Sequence, residues 1–191
     1  MNYELINEIK SPFAQKCATI AHHYDLKTDC DYLLFGLDTS NIMVYDFKGN
    51  QWCENKKFKT KSWVYSIKFL NEENHHSGIF IYTQSNEVSL ADFNTVQIIK
   101  TARLDDALRI TDSLFWNNEK SKNYVLLACF GDDHSIKVLS FPDLNLLHSY
   151  KFHIFPVNLL KASVKDKSEN MKECLFVFQG KGEMSQLWLF E

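Results

Sequence analysis

The sequence predicts an all-β fold made of about four similar four-stranded units. The first observation is an internal repeat, because the segments 42–47, 88–93, 136–141 and 185–190 share one register and end in phenylalanine. Those phenylalanines lie 46, 48 and 49 residues apart. Each copy follows an apolar run and a polar turn, which is typical of short antiparallel strands. In addition, no segment longer than a turn or two has strong helical periodicity.

The first unit is predicted over residues 13–58. Its strands are, in order, 16–20, 32–35, 42–47 and 51–58. A polar loop over 22–31 separates the first two strands. The continuous apolar run of the second strand indicates a strand covered on both faces. The lysines of the fourth strand suggest that it lies at an outer edge.

The same cycle restarts over residues 63–101, 109–152 and 157–191. The predicted strands are 64–69, 79–82, 88–93 and 96–101, then 111–116, 124–129, 136–141 and 146–152, and finally 157–161, 175–178 and 185–190. The last unit is one strand short. An alternating segment over 3–9 would complete it, and we expect one domain over 1–191.

Four-stranded units repeated at this spacing are what the blades of a β-propeller require, because one such meander cannot bury both of its faces alone. The sequence resembles the WD-repeat family over almost the whole chain. The resemblance rests on the third-strand repeat and on an acidic residue seven positions before the family's tryptophan slot, Asp38 before Tyr45 and Asp132 before Leu139. The Gly-His dipeptide of the family is absent. The Trp-Asp pair is replaced by Tyr45-Asp46, Ala91-Asp92, Leu139-Ser140 and Trp188-Leu189.

The resemblance implies a WD-like propeller that holds other proteins, as a subunit of a larger complex. Rings in this family usually have more than four blades. Three arrangements therefore stay open: a closed four-blade ring, a half-ring completed by another chain or a second copy, and a fragment of a longer protein.

Composition narrows the class of function. A net charge of -3 gives no general attraction to polyanions, so nucleic acid is not the expected partner. The five cysteines contain no C-x-x-C pair, and the chain has no apolar leader and no run approaching a membrane span. We expect an intracellular protein of the cytoplasm or nucleus. No catalytic motif is present, so we expect neither enzyme activity nor a cofactor.

Large side chains precede the first strand of each unit. They are Phe13, Trp63, Arg109 and Phe155. The resemblance implies that this entrance faces peptide partners, with Asp133 and His134 on the same face from a neighbouring turn. Aromatic residues and arginine often carry interface energy, of about 2 kcal/mol or more when central. The same residues are also suited to packing between blades.

Two other functions are considered. The pairs His22-His23 and His75-His76 are predicted in first-to-second strand loops, where imidazole and carboxylate groups suit a metal-dependent hydrolase. Solvated histidines are the favoured interpretation. The lysine run 56–61, with aromatic residues nearby for stacking, suits RNA. Protection of an outer strand is favoured there.

Overall fold

Alternating and continuous apolar runs become strands throughout the chain. The structure is a computed structural model, and it describes residues 16–72, 75–117, 123–132, 134–165, 171–180 and 184–189. These residues form four antiparallel sheets, each an uninterrupted meander. The prediction of an all-β propeller fold with about four blades is confirmed. The predicted strand over 3–9 lies outside the described residues.

Sheet 1 contains β1 (Cys17–Asp25), β2 (Cys30–Leu37), β3 (Asn41–Lys48) and β4 (Gln51–Lys59). Two positive-φ residues, Gly49 at 56° and Asn50 at 62°, form the two-residue turn between β3 and β4. This turn type requires positive φ at both central positions, which glycine and asparagine tolerate best. The lysine-rich β4 is the outer strand, as its charge pattern predicts.

The other sheets repeat this order. Sheet 2 contains β5 (Val64–Glu72), β6 (His75–Gln84), β7 (Glu87–Asp92) and β8 (Gln97–Arg103). Sheet 3 contains β9 (Ala107–Asn117), β10 (Asn123–Gly131), β11 (Ser135–Ser140) and β12 (Leu146–Lys151). Sheet 4 has three described strands, β13 (Pro156–Lys165), β14 (Met171–Gln179) and β15 (Met184–Leu189).

Three apolar cores join the sheets in sequence order. One lies between sheets 1 and 2, the next between sheets 2 and 3, and the third between sheets 3 and 4. The strands β10 and β11 each contain five consecutive buried residues, because sheet 3 is covered on both faces. In β2 and β3, buried and half-buried residues alternate instead. Sheet 1 is therefore tightly covered on one face only.

The first strands of the four sheets, β1, β5, β9 and β13, lie side by side on the inner rim of this array. Between 16 and 189, no helix in the described ranges is long and apolar enough to span a bilayer.

The expectation for the first histidine pair is wrong. The predicted loop over 22–31 is strand as far as Asp25, so His22 and His23 lie within β1. The backbone ladder places them opposite Leu33 and Tyr32 of β2, and this pairing overrides their polarity. Phe58, a stacking candidate under the RNA alternative alone, is buried in the core between sheets 1 and 2.

Candidate interaction surface

The predicted entrance residues lie where the chain enters an inner strand. Trp63 directly precedes β5, Phe155 directly precedes β13, and Arg109 is the third residue of β9. His134 directly precedes β11. Phe13 and Asp133 lie outside the described residues.

Trp63 and Arg109 meet on a third side chain, Tyr65 of β5. The Trp63 and Tyr65 ring centroids are 6.2 Å apart, at an interplanar angle of 50°. From the neighbouring sheet, the Arg109 guanidinium carbon lies 4.9 Å from the centroid of the Tyr65 ring, within range of a cation–π contact. Trp63 is nevertheless 44% exposed, and Arg109 is exposed as well. The group therefore presents an indole face and a cation to solvent.

His134 and Phe155 meet in the same way on Phe130 of β10. The His134 ring stacks on Phe130 at 5.4 Å with an interplanar angle of 22°, and Phe155 meets Phe130 edge-on at 5.2 Å. The Phe155 ring also lies over Gly180, where a Cβ atom would come within 2.7 Å of a ring carbon. The Gly180 amide donates to the Phe155 carbonyl at 3.0 Å. These contacts fix the position of Phe155.

The two groups are neighbours. Phe130 and Arg109 are opposite one another across the β9–β10 ladder, where cross-strand Cβ atoms lie about 4.5–5.5 Å apart. A continuous row of large side chains therefore runs from sheet 2 across sheet 3 to sheet 4. We call this row the entrance band; its members are Trp63, Tyr65, Arg109, Phe130, His134 and Phe155.

Sequence reasoning missed Tyr65 and Phe130. Both lie inside strands, where an aromatic residue usually indicates core. Their half-buried state comes from the position of their strands at the entrance, and only the strand register shows this. The His134 Nδ1 atom is buried and has no hydrogen-bond partner among the described residues. It is the one polar atom of the entrance band in this state.

An Asp112-centred network ties three inner strands together. The carboxylate of this buried β9 residue accepts from Ser66 Oγ of β5 at 2.8 Å and from the Leu159 amide of β13 at 2.9 Å. It also accepts from the Ser113 amide at 2.8 Å. The Lys68 Nζ atom lies 3.8 Å away and balances its charge. Buried charge that is this well hydrogen-bonded holds sheets 2, 3 and 4 in register.

The inner rim borders a cavity of ≈ 380 Å³. All four inner strands contribute to its lining, which is Ile20, Ala21, His22, Ile67, Lys68, Phe69, Leu114, Phe115, Asn117 and Lys161. Its ionisable lining groups already have partners: His22 contacts Asp31 at 2.6 Å, Lys161 contacts Glu173 at 2.7 Å, and Lys68 lies 3.8 Å from Asp112. The cavity therefore offers little unpaired charge to a small ligand.

His23, from the first histidine pair, is packed inside the fold. The His23 ring is buried and stacks on Phe69 at 4.4 Å with an interplanar angle of 7°. The next pair, His75-His76, begins β6. In the described part of the chain, no three His, Cys, Asp or Glu side chains are placed to hold a metal ion.

Part of the lysine run is used inside the fold. The Lys56 Nζ atom donates to the Phe93 carbonyl at 2.6 Å and lies 3.5 Å above the Phe93 ring. Burial lowers the pKa of Lys56. Lys61 pairs with Glu87 at 2.9 Å. The remaining exposed lysines, Lys57 and Lys59, form a small charged patch on the outer strand.

An ion pair between buried Lys137 and half-exposed Asp106 could not be predicted from the sequence. Lys137 of β11 is 1% exposed, and its Nζ atom donates to Asp106 at 2.5 Å. This hydrogen bond lowers the pKa of the Asp106 carboxyl. Nearby, burial raises the pKa of the Cys129 thiol to about 12. Such a thiol is protonated at neutral pH and is a poor nucleophile.

The class of fold is that of the WD40 propellers. The chain superposes on the crystal structure of Sqt1 from Saccharomyces cerevisiae with a TM-score of 0.67 and 9% identity, covering 89% of this chain and 44% of that one. For the Neurospora crassa Pan2 WD40 domain, the TM-score is 0.60 at 13% identity, with 92% and 50% covered. The computationally designed protein Ika8 gives 0.57 at 17% identity, with 83% and 43% covered.

The chain thus spans about half the length of the structures that it matches. Identities this low define the fold alone. No protein-family model matches the sequence, and no curated protein is detectably similar to it.

Proposed function

We propose that the chain is a non-catalytic protein-interaction scaffold, a subunit of a larger complex, that binds a segment of a partner protein on the entrance band. The observation that carries this proposal is the continuity of the band. Three sheets contribute to one row that contains a tryptophan, a tyrosine and an arginine, the residue types that most often dominate interfaces. A rigid sheet framework holds them in place without a partner, which lowers the entropic cost of binding.

The composition of the band specifies the kind of segment. Trp63 offers an exposed indole face for an aromatic or aliphatic anchor. The Arg109 guanidinium is fixed on one side by the Tyr65 ring and retains donors for a carboxylate. The expected ligand is an extended segment with one large apolar residue and an acidic residue close to it. This is a peptide-recognition function, with no chemical step.

Selection of peptides from a displayed library on the purified chain tests the proposal. We expect selected peptides to share an apolar anchor and an acidic residue. Trp63→Ala should weaken their binding by roughly 30-fold, the equivalent of about 2 kcal/mol, as measured by fluorescence anisotropy. Arg109→Lys should weaken binding as well, because lysine keeps the charge but loses the planar donor fork.

Trp52→Ala is the matched control, since Trp52 is a half-buried tryptophan of the outer strand β4, where it contacts Phe47. Its affinity for the selected peptides should be unchanged. Peptides whose affinity is insensitive to both Trp63→Ala and Arg109→Lys would place recognition elsewhere and refute the proposal.

We also propose that another chain completes the ring, either a partner protein or a second copy. The support is the second face of sheet 1, whose residues in β2 and β3 are only half-buried. All five cysteines are free thiols, which supports a reducing intracellular compartment. The metal-dependent hydrolase and RNA-binding alternatives draw no support from the residues described.

A further inference from the structure

The outer strand of each four-stranded sheet contains a bulge at the same place. The ladders between the third and fourth strands of sheets 1, 2 and 3 shift register after Val44, Leu90 and Val138. A bulge places two residues of the outer strand opposite one residue of its neighbour and makes the edge a poor template for a further strand. A partner would therefore contact these outer strands through their side chains. The extra residues are Asn55, Ile99 and Leu147.

In sheets 2 and 3, the bulge holds two adjacent aliphatic residues. Ile98 and Ile99 lie opposite the fully buried Ala91 and are 53% and 51% exposed. Leu146 and Leu147 lie opposite the fully buried Leu139 and are 52% and 45% exposed. Neither member of either pair is therefore covered by the fold. Each pair lies in water at the outer end of an apolar core.

A lysine of sheet 2 faces the leucine pair of sheet 3. Lys100 lies opposite Leu90, which belongs to the core between sheets 2 and 3. Because directly opposed residues share one face of a sheet, Lys100 is on the side of sheet 2 that is turned to sheet 3. By the same argument, Leu146 is on the side of sheet 3 that is turned to sheet 2, since Leu139 belongs to this core. We call this place the outer groove; its members are Lys100, Leu146 and Leu147.

The equivalent lysine of sheet 1 is already used inside the fold. Lys56 follows the bulge residue Asn55 and lies opposite Val44, as Lys100 follows Ile99 and lies opposite Leu90. The Lys56 Nζ atom crosses to sheet 2, where it donates to the Phe93 carbonyl at 2.6 Å. Lys100 is exposed and has no hydrogen bond or ion pair to another described residue. The outer groove therefore keeps a free ammonium group beside its two leucines.

Charge selects the occupant of the outer groove. The strands β8 and β12 contain Lys100, Arg103 and Lys151 and no acidic residue. The acidic residues next to them in sequence, Asp105 and Asp143, lie in turns, and Asp105 pairs with Arg103 at 3.1 Å. An unpaired ammonium group beside an aliphatic pair is complementary to a carboxylate that lies next to an aliphatic side chain.

We propose that the outer groove binds an extended segment of a partner protein, with an aliphatic side chain on Leu146 and Leu147 and a carboxylate on Lys100. The outer groove lies on outer strands, whereas the entrance band lies where the chain enters the inner strands. The proposal therefore goes beyond the function proposed above and adds a second docking surface to the scaffold. Binding involves side-chain contacts alone and no chemical step.

Selection of random displayed peptides on a chain with Trp63→Ala and Arg109→Lys tests the proposal, because these substitutions remove the contribution of the entrance band. We expect the selected peptides to share an aliphatic residue next to an aspartate or glutamate. Leu147→Ser should weaken their binding by roughly tenfold in fluorescence anisotropy, because it removes apolar contact area. Lys100→Glu should also weaken binding by roughly tenfold, since it places like charges together.

The repeat supplies a matched control. Ile99→Ser alters the equivalent bulge residue of sheet 2, which has similar exposure but lies where Lys56 is already engaged, and it should leave the affinity unchanged. A charge exchange tests Lys100 directly. A selected peptide whose acidic residue is replaced by lysine should bind the Lys100→Glu chain more tightly than the chain that keeps Lys100. A damaged fold cannot produce this gain.

Selected peptides that are insensitive to both Leu147→Ser and Lys100→Glu overturn the proposal, as does a selection that enriches no peptide or a charge exchange that restores no binding. Self-association of the wild-type chain that Leu147→Ser abolishes, as measured by light scattering, would assign the outer groove to a second copy and overturn the proposal as well. Peptides that bind the entrance band should be insensitive to Leu147→Ser, so failure of one proposal is distinguishable from failure of the other.

Discussion

Replacement of Asp112 by alanine should reduce stability more than any surface substitution in the chain. The carboxylate accepts three hydrogen bonds, and two of them come from other sheets, through Ser66 Oγ and the Leu159 amide. A hydrogen bond to an ionised group contributes about 1.5–3 kcal/mol. Loss of the two bonds between sheets leaves the Leu159 amide buried without an acceptor, and Ser66 Oγ keeps only its contact with Ser113 Oγ at 2.9 Å. We therefore expect Asp112→Ala to lower the free energy of unfolding by about 3–5 kcal/mol.

Urea denaturation followed by circular dichroism measures this loss. A chain of this size should have a slope of about 2–3 kcal/mol per molar urea, so the midpoint should fall by roughly 1–2 M. Asp112→Asn retains one carbonyl acceptor and should lie between alanine and wild type. Asp132→Ala is the control, because Asp132 is exposed and its removal should change stability by less than about 0.5 kcal/mol.

Asp112 is expected to align three sheets through these hydrogen bonds. Asp112→Ala could lower the free energy of unfolding by less than about 1 kcal/mol. In that case either the hydrogen bonds do not form in solution, or water replaces the carboxylate as acceptor with no loss of stability. If the loss is large but is confined to a change in slope, the denatured state has changed and the register argument fails as well.

Two further predictions concern buried groups of sheet 3. Asp106→Ala should lower the free energy of unfolding by about 2 kcal/mol at neutral pH, because it leaves Lys137 buried without its ion-pair partner. The expected loss is no larger because Asp106 is half-exposed and solvent screens the pair. Lys137→Met removes the buried charge itself and should leave the free energy of unfolding nearly unchanged in the same urea assay. Because Lys137 lowers the folded-state pKa of Asp106, this stabilisation is present above the unfolded value of about 4 and is lost as the pH falls through the folded value. Asp106→Ala should therefore flatten the acid side of the stability profile. With Ellman's reagent at mildly alkaline pH, exposed Cys53 should be labelled in the native chain and Cys129, whose pKa is about 12, only after unfolding; rapid native labelling of Cys129 would contradict its burial.

The repeat spacing was enough to predict the sheets, because each strand of the unit returns at the same place in the pattern. The turn at Gly49 and Asn50 and the lysine-rich outer strand β4 were also visible, since both follow from local chemistry. The pair His22-His23 was misplaced in a loop. Polarity favoured a loop there, but pairing with β2 and stacking of His23 on Phe69 depend on residues distant in sequence.

The entrance band also contains some residues that could be predicted from the sequence and others that could not. Its ends could be predicted from their place before an inner strand, and Trp63 and Phe155 do lie there. Its connecting residues could not, because Tyr65 and Phe130 look like ordinary core aromatics until the register places them beside Arg109. A buried aspartate or lysine gives no sequence signal either. Asp112 and Lys137 are recognisable only from the partners that surround them.

The absence of a matching family model and the presence of the fold have one physical explanation. The family's tryptophan slot holds Ala91 in sheet 2 and Leu139 in sheet 3, yet both positions are fully buried. Opposite Ala91, the ladder places Phe80, so the large side chain of this contact comes from β6 and the core between sheets 1 and 2 stays filled. Packing responds to volume and pattern more than to residue identity. The sheets and their filled cores therefore form here without the signature residues of the family.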